Sequence, residues 1–257
     1  MNIIANTKIP NIFHFIYFYS NSRQEFPLAH YICINSARVL NNPEKIYFYS
    51  NRLPFGKFWD MISCYVEFIK VEPPDSVHGN KLYHIAHKSD VLRLLLLKEI
   101  GGVYLDMDVI CKKSFIPLFK YDFVMGKQGK WRNMGLCNGV IFANKDSEFL
   151  KLWYHEFKYF RSKGHDKYWA EMSVRKPMEL SKKYPQLIHV EPYDSFHYPL
   201  YYSFDIKKIF EKNIDFPNAY CHHYWDGASY DKYLKNITVE EILNKDTTYN
   251  LIARKYL

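Results

Sequence analysis

Along roughly the first 160 residues the apolar positions change spacing repeatedly, and each change marks an element. Ile9 to Tyr17 is apolar, β-branched and aromatic, which predicts a strand. Leu28 to Leu40 repeats at helical spacing and stops before Asn41-Asn42-Pro43. Lys45 to Tyr49 and Tyr65 to Val71 predict two more strands, followed by a turn at Pro73-Pro74-Asp75. Leu82 to Ile100 is helical, with Gly101-Gly102 as its stop signal. Val103 to Ile110 predicts a strand, as do Tyr121 to Met125 and Val140 to Ala143. Ser147 to Phe160 predicts a helix capped by Asp146 or Ser147.

Alternating strands and helices predict an α/β fold with a mixed, mostly parallel sheet flanked by helices. Beyond about Arg161 the pattern is more broken and aromatic, as in an extension that covers a substrate. The expectation is one domain over 1–257, with an α/β core at 1–160 and a substrate-covering extension at 161–257. No internal repeat or low-complexity tract interrupts it.

The formal net charge of +8 favours anionic partners. The charges are dispersed, with only pairs such as Lys112-Lys113, Lys182-Lys183 and Lys207-Lys208. Diphosphate binding or peripheral attachment to a membrane surface therefore fits better than nucleic acid. The five cysteines are odd in number and form no CxxC pair, so neither a disulfide framework nor a zinc knuckle is expected. The apolar run Ile12 to Tyr19 is too short to span a bilayer and lacks a signal-peptide layout. A cytoplasmic protein, soluble or on that face of a membrane, is the expectation.

Chemistry concentrates at Asp106-Met107-Asp108. In a strand or extended turn, residues two apart share a face, so both carboxylates project together. Their repulsion is relieved by a cation, and a hard divalent ion such as Mn²⁺ or Mg²⁺ suits oxygen ligands. The plain alternative is a strand edge with two solvated acids. Asp90 and Arg93 sit three apart on the preceding helix and share its face, either as a structural ion pair or as a site wall. Gly101-Gly102 permits a tight reversal that brings helix and strand together. Asp90, Arg93, Asp106 and Asp108 are thus expected to converge.

The run His87-Lys88-Ser89-Asp90-Val91-Leu92-Arg93, then Gly101-Gly102-Val103-Tyr104-Leu105-Asp106-Met107-Asp108, resembles the signature of DXD-containing sugar transferases. The nearest group is glycosyltransferase family 32, with its initiating α-1,6-mannosyltransferases and capsular polysaccharide transferases. Ile9-Pro10-Asn11-Ile12-Phe13-His14 resembles the family's opening strand, although Phe15 and Ile16 replace its usual Gln and Trp. Asn138-Gly139-Val140-Ile141, Pro177-Met178-Glu179-Leu180-Ser181, the stretch Val190 to Pro199 and Ala219-Tyr220-Cys221-His222-His223 resemble later segments. Lys176 and Tyr230 depart from the pattern.

The resemblance implies a GT-A fold and a retaining glycosyltransferase that uses a nucleotide-sugar donor and a divalent metal. It implies a UDP-sugar, or GDP-mannose, as donor and a glycan, glycolipid or glycoprotein as acceptor. Asp106, Asp108 and His222 are the implied metal group. Asp90, Arg93, Tyr104, Asp106, Asn138 and Gly139 are implied at the donor. Adjacent histidines in a strand face opposite ways, so only one serves the metal. Double displacement needs a carboxylate nucleophile, for which Asp194 and Asp166 are candidates; front-face attack needs none. Trp131 and Trp225 are candidates for the acceptor side, whereas Trp153 belongs to a helix core. Two rivals stand beside this reading: a binding protein that has lost catalysis, and a HAD-type phosphatase. The latter leaves the Gly-Gly-x-Tyr lead-in unexplained.

Overall fold

The computed structural model describes residues 7–20, 24–131 and 134–257. The first part runs β1 (Ile12–Ile16), α1 (Leu28–Asn41), β2 (Lys45–Ser50), α2 (Lys57–Ile62), β3 (Glu67–Lys70), the small hairpin β4 (Ser76–Val77) and β5 (Asn80–Lys81), and α3 (Ile85–Ile100). Then come β6 (Gly102–Leu105), β7 (Val109–Cys111), β8 (Phe123–Lys127), β9 (Leu136–Ala143) and α4 (Glu148–Glu156). The later part holds α5 (Lys176–Lys183), β10 (His189–Glu191), α6 (Tyr193–Phe196), α7 (Ser203–Phe210), β11 (Cys221–His223), α8 (Asp226–Ser229), α9 (Val239–Asn244) and α10 (Thr248–Ala253).

Seven strands form one sheet in the order β10-β8-β9-β6-β1-β2-β3. Neighbours are parallel except where β9 lies antiparallel to β6 and β8. The central strands are buried on both faces, which is why they read as continuous apolar runs. Alternate residues then feed opposite cores. Val103, Leu105, Val140 and Phe142 pack with Ile32 and Ala37 of α1. Tyr104, Ile141 and Ala143 pack with Leu94 and Leu97 of α3 and Phe149 and Trp153 of α4.

The glycine pair after α3 sets where β6 begins. Gly101 has φ 76° and Gly102 φ 109°, a region that favours glycine. A Cβ on Gly102 would lie 2.3 Å from the carbonyl oxygen of Ile12, so only glycine lets β6 lie against β1 here. His14 on β1 braces the same turn, its Nε2 2.8 Å from the Gly101 carbonyl and its Nδ1 3.2 Å from the Tyr49 hydroxyl. Burial lowers the His14 pKa to about 4, outweighing the opposite pull of the Gly101 carbonyl, so the ring is a neutral core group.

Two predicted elements divide. The strand expected over Val103 to Ile110 breaks after Leu105, and residues 106–108 form a turn in which the Val109 N–H donates to the Asp106 carbonyl at 3.1 Å. β7 then leaves the main sheet to pair with β11. The helix expected over Ser147 to Phe160 is α4 followed by a 3₁₀ turn at Phe157–Tyr159, with the Ser147 hydroxyl capping the Leu150 N–H. The segment after residue 160 is threaded into the core: β10 extends the main sheet beside β8, and β11 pairs with β7. Among the described residues, no helix is long and apolar enough to cross a membrane.

Candidate active site

Asp106 stands where β6 ends, and its backbone N–H donates to the Gly139 carbonyl at 2.9 Å. Its Oδ1 is held from behind. The Tyr104 hydroxyl donates to it at 2.6 Å, and Arg93 Nη1 lies 3.1 Å away. Arg93 also donates to the carbonyls of Asn138 (2.8 Å) and Ser89 (3.2 Å), and pairs with Asp90 at 3.2 Å. Its guanidinium lies 4.4 Å from the centroid of the Tyr104 ring. Asn138 Nδ2 closes the network on Asp90 Oδ1 at 2.7 Å. Burial works against charge on Arg93, but Asp106, Tyr104 and Asp90 outweigh it and raise its pKa. For Asp90, burial outweighs Arg93 and Asn138, so its pKa rises.

Asp108 is held in the same way. Its Oδ2 accepts the Asp226 N–H at 2.8 Å, while its backbone carbonyl accepts the Tyr224 N–H at 2.8 Å. Each carboxylate thus gives one oxygen to the protein and turns the other toward His223. His223 Nε2 lies 3.1 Å from Asp108 Oδ1 and 3.9 Å from Asp106 Oδ2. One ligand atom from each of the three residues lies within 4.8 Å of the others. Burial pushes the Asp108 carboxyl up, but the His223 charge, its hydrogen bond and the Asp226 amide prevail and hold it at about 2. Burial alone would lower the His223 pKa; Asp108 and then Cys137 raise it well above the usual value.

Burial also pushes the Cys137 thiol up, yet His197 and His223 beside it hold it down at about 6. A cavity of about 500 Å³ opens in front of this group, walled by Asp90, Arg93, Asp106, Asn138, Trp169, His223 and Trp225. Ser173 and Val174, from a π turn over Glu171–Arg175, close its far side. That turn packs on Gly135, where a Cβ would lie 2.4 Å from Val174.

The structure brings Asp90, Arg93, Asp106 and Asp108 together, as the spacing predicts, with Asn138 and Gly139, which the resemblance supplied, beside them. Of the strand and the turn that the sequence allows for 106–108, the structure has the turn. Tyr104 lies beneath the site, 1% exposed, and braces Asp106 instead of facing the cavity. The imidazole beside the two carboxylates is that of His223, not His222. In the β7–β11 register His223 faces Val109, beside Asp108, while strand alternation turns His222 to the other side. There its Nδ1 meets the Tyr198 carbonyl at 3.1 Å, and burial lowers its pKa to about 4 against the effect of that bond.

Asp194 is not brought to this group: it accepts a hydrogen bond from Asn218 at 2.7 Å. Asp166 is spent on its own loop, accepting from Ser162, Lys163 and Tyr168. Trp225 lines the cavity and stacks on His223 with centroids 4.0 Å apart, whereas Trp131 lines a separate cavity with Tyr202 and Phe204. Trp153 is core. The sequence offers Trp169 only as one of several tryptophans able to stack on a sugar ring, and it lines the cavity; Asp226, Cys137 and His197 were missed, because long-range packing alone brings them here.

Comparison with known proteins agrees with this geometry. A family profile described as a glycosyltransferase sugar-binding region containing a DXD motif matches residues 30–126. Glucan organizing enzyme 1 of Cryptococcus neoformans var. grubii serotype A is 31% identical over 264 residues, covering 97% of this chain and 71% of that one. Mouse xyloside xylosyltransferase 1 in its apo form superposes with a TM-score of 0.53 at 11% identity, over 84% of this chain and 98% of that one. Apo glycosyltransferase GlyE of Streptococcus pneumoniae TIGR4 gives 0.52 at 13% identity, over 96% of this chain and 60% of that one. These two structures share the fold alone, and that fold is GT-A. The chain belongs to the DXD-motif glycosyltransferases, GT-A enzymes that take a sugar from a nucleotide-sugar donor.

Proposed function

We propose that the protein is a metal-dependent, retaining transferase resembling glycosyltransferase family 32, with a UDP-sugar as first donor to test and GDP-mannose as second. The observation that carries this reading is the convergence of Asp106, Asp108 and His223 at the mouth of the walled cavity. Two oxygens and an imidazole nitrogen fit a divalent ion such as Mn²⁺; imidazole favours it over Mg²⁺. When bound, such an ion supplies charge stabilisation to the departing diphosphate. Arg93, Tyr104 and the Asp226 amide keep the two carboxylates aimed. Trp169 and Trp225 offer apolar faces to a base or sugar ring.

Asp90, the other carboxylate in the cavity wall among the described residues, is tied to Arg93 and Asn138. This favours front-face attack, in which no protein nucleophile is needed. The name of the cryptococcal relative makes a glucan-type polysaccharide the first acceptor to try.

The test is a panel of UDP- and GDP-sugars with Mn²⁺, Mg²⁺ or EDTA, read by thermal stabilisation and release of nucleoside diphosphate. One donor is expected to stabilise the protein only with metal and to be slowly hydrolysed. Stabilisation without release, even with acceptor glucans present, would favour the binding-protein reading. No response to any donor would overturn the proposal.

Gly139 provides a finer test. A Cβ there would lie 2.8 Å from Asp106 Oδ2 and 2.9 Å from His223 Cε1. Gly139→Ala must displace both side chains, and a shift on the order of 1 Å at a reacting centre costs about 10²-fold in rate. Turnover is expected to fall by about that factor, with a small change in melting temperature because side-chain ends are what move. Unchanged turnover would remove these two groups from the reaction.

A further inference from the structure

We infer that Cys137, His197 and His223 form a second, softer metal site that takes Zn²⁺. Cys137 comes from β9, His197 follows α6, and His223 ends β11. One ligand atom from each lies within 4.8 Å of the other two. All three side chains are buried, His197 completely. Gly126 on β8 permits this approach: a Cβ there would lie 2.7 Å from Phe196 and 3.2 Å from His197 Cδ2.

The second observation concerns unmet polar atoms. Among the described residues, neither ring nitrogen of His197 nor His223 Nδ1 has an oxygen or nitrogen hydrogen-bond partner, and the polar group beside both rings is the Cys137 sulfur. Buried ring nitrogens without partners are costly, and each such group calls for an explanation. A cation held by one thiolate and two imidazoles accounts for the sulfur, His223 Nδ1 and one nitrogen of His197 together. That N/S set selects Zn²⁺ over Mg²⁺ or Mn²⁺. Cys137 and His223 both line the cavity, so a fourth position faces solvent or ligand.

His223 links this site to the carboxylate pair. A neutral imidazole has one lone pair. With Nδ1 on Zn²⁺, the remaining proton sits on Nε2 and donates to Asp108 Oδ1, 3.1 Å away. A metal-bound histidine commonly donates its other N–H to a carboxylate in this manner. The Cys137 thiol proton, and any proton on Nδ1, leave to solvent. The same ring then has no lone pair for an ion between Asp106 and Asp108, so the two occupancies compete for it. Zn²⁺ binding itself does not depend on the donor reading above.

The test uses the full chain carrying Cys64→Ser, because Cys64 is an exposed thiol. After dialysis against a chelator, it is titrated with Zn²⁺ in competition with a chromophoric chelator. Co²⁺ then serves as a spectroscopic probe. The expected result is one Zn²⁺ per chain and a thiolate-to-cobalt charge-transfer band. Cys137→Ser is expected to abolish the band. Cys137→Ser and His197→Gln should each weaken Zn²⁺ binding by more than the about 100-fold that outer-shell changes cost. Circular dichroism of the metal-free variants checks that they fold, and the Co²⁺ spectrum of the Cys64→Ser chain requires no further substitution.

Co²⁺ binding without the thiolate band, or undiminished Zn²⁺ affinity in Cys137→Ser, would overturn the inference. So would Zn²⁺ binding lost in Asp106→Asn but kept in Cys137→Ser. Zn²⁺ bound through Cys137, in a chain whose zinc-free form gives no Mn²⁺-dependent donor response, would leave this site standing and remove the carboxylate reading instead.

Discussion

Asp108→Asn is expected to lower donor turnover by about 10²–10³-fold, the range seen when one charge-stabilising group is removed from an active site. The substitution deletes a ligand charge at nearly constant volume. The side-chain oxygen that accepts the Asp226 N–H has a counterpart in Asn, so the turn before β7 keeps that anchor. Its effect on His223 is electrostatic. Burial lowers the ring's pKa, while Asp108 first and then Cys137 raise it, so loss of Asp108 shifts it downward. Metal-dependent thermal stabilisation should disappear, while the metal-free melt moves little. Normal turnover with an intact Mn²⁺ response would sink the assignment of Asp108 to the metal.

Arg93→Ala is expected to be the most destabilising substitution in the site. Arg93 is 4% exposed and is the cation between Asp90 and Asp106. Its loss leaves two inward carboxylates without that charge and removes the side-chain donors to the carbonyls of Asn138 and Ser89. Breaking a buried pair by removing one partner costs about 3–5 kcal/mol. At about 2–4 °C per kcal/mol for a chain near this size, the midpoint should fall by roughly 6–20 °C. Arg93→Lys is expected to recover only part of this, because one ammonium does not reproduce the flat fork that serves four acceptors. Asp90→Asn in the Arg93→Ala background should restore some stability, since it removes a stranded charge. Calorimetry of the three variants reads the result. A melt within about 1 °C of the parent protein for Arg93→Ala would mean that the network does not support β6 and α3 as described.

These two expectations separate roles that the DXD signature alone leaves merged. Asp108 faces His223 and the site. Arg93 acts through Asp106 and Asp90, and is a positioning residue whose effect on turnover comes with a loss of stability. A fall in stability without a fall in turnover per folded molecule would mean that aiming Asp106 matters less than the geometry implies.

Much of the frame was legible because it is written in local chemistry. Apolar runs of β-branched and aromatic residues mark β1, β2, β6 and β9, and Gly101-Gly102 marks the reversal that only glycine accepts. The spacing of Asp90 and Arg93 on one helix face, followed by the DXD turn, was enough to predict their convergence. The boundary between β6 and β7 was not legible. Residues 103–110 are apolar enough to read as one strand, and only the pairing of β7 with β11 shows that the chain turns at Asp106 to change sheets. The choice between His222 and His223 is decided the same way: either alternation is open until the register places His223 opposite Val109. Cys137 and His197 meet through packing of α6 on β8, far apart in the chain. Sequence by itself thus determined which elements form and where the acidic chemistry sits, since these depend on neighbours a few residues away. Tertiary structure decided which imidazole lies beside the carboxylates and which buried groups adjoin it, because strand register and helix packing are set by residues far apart in the chain, such as His223 and Val109.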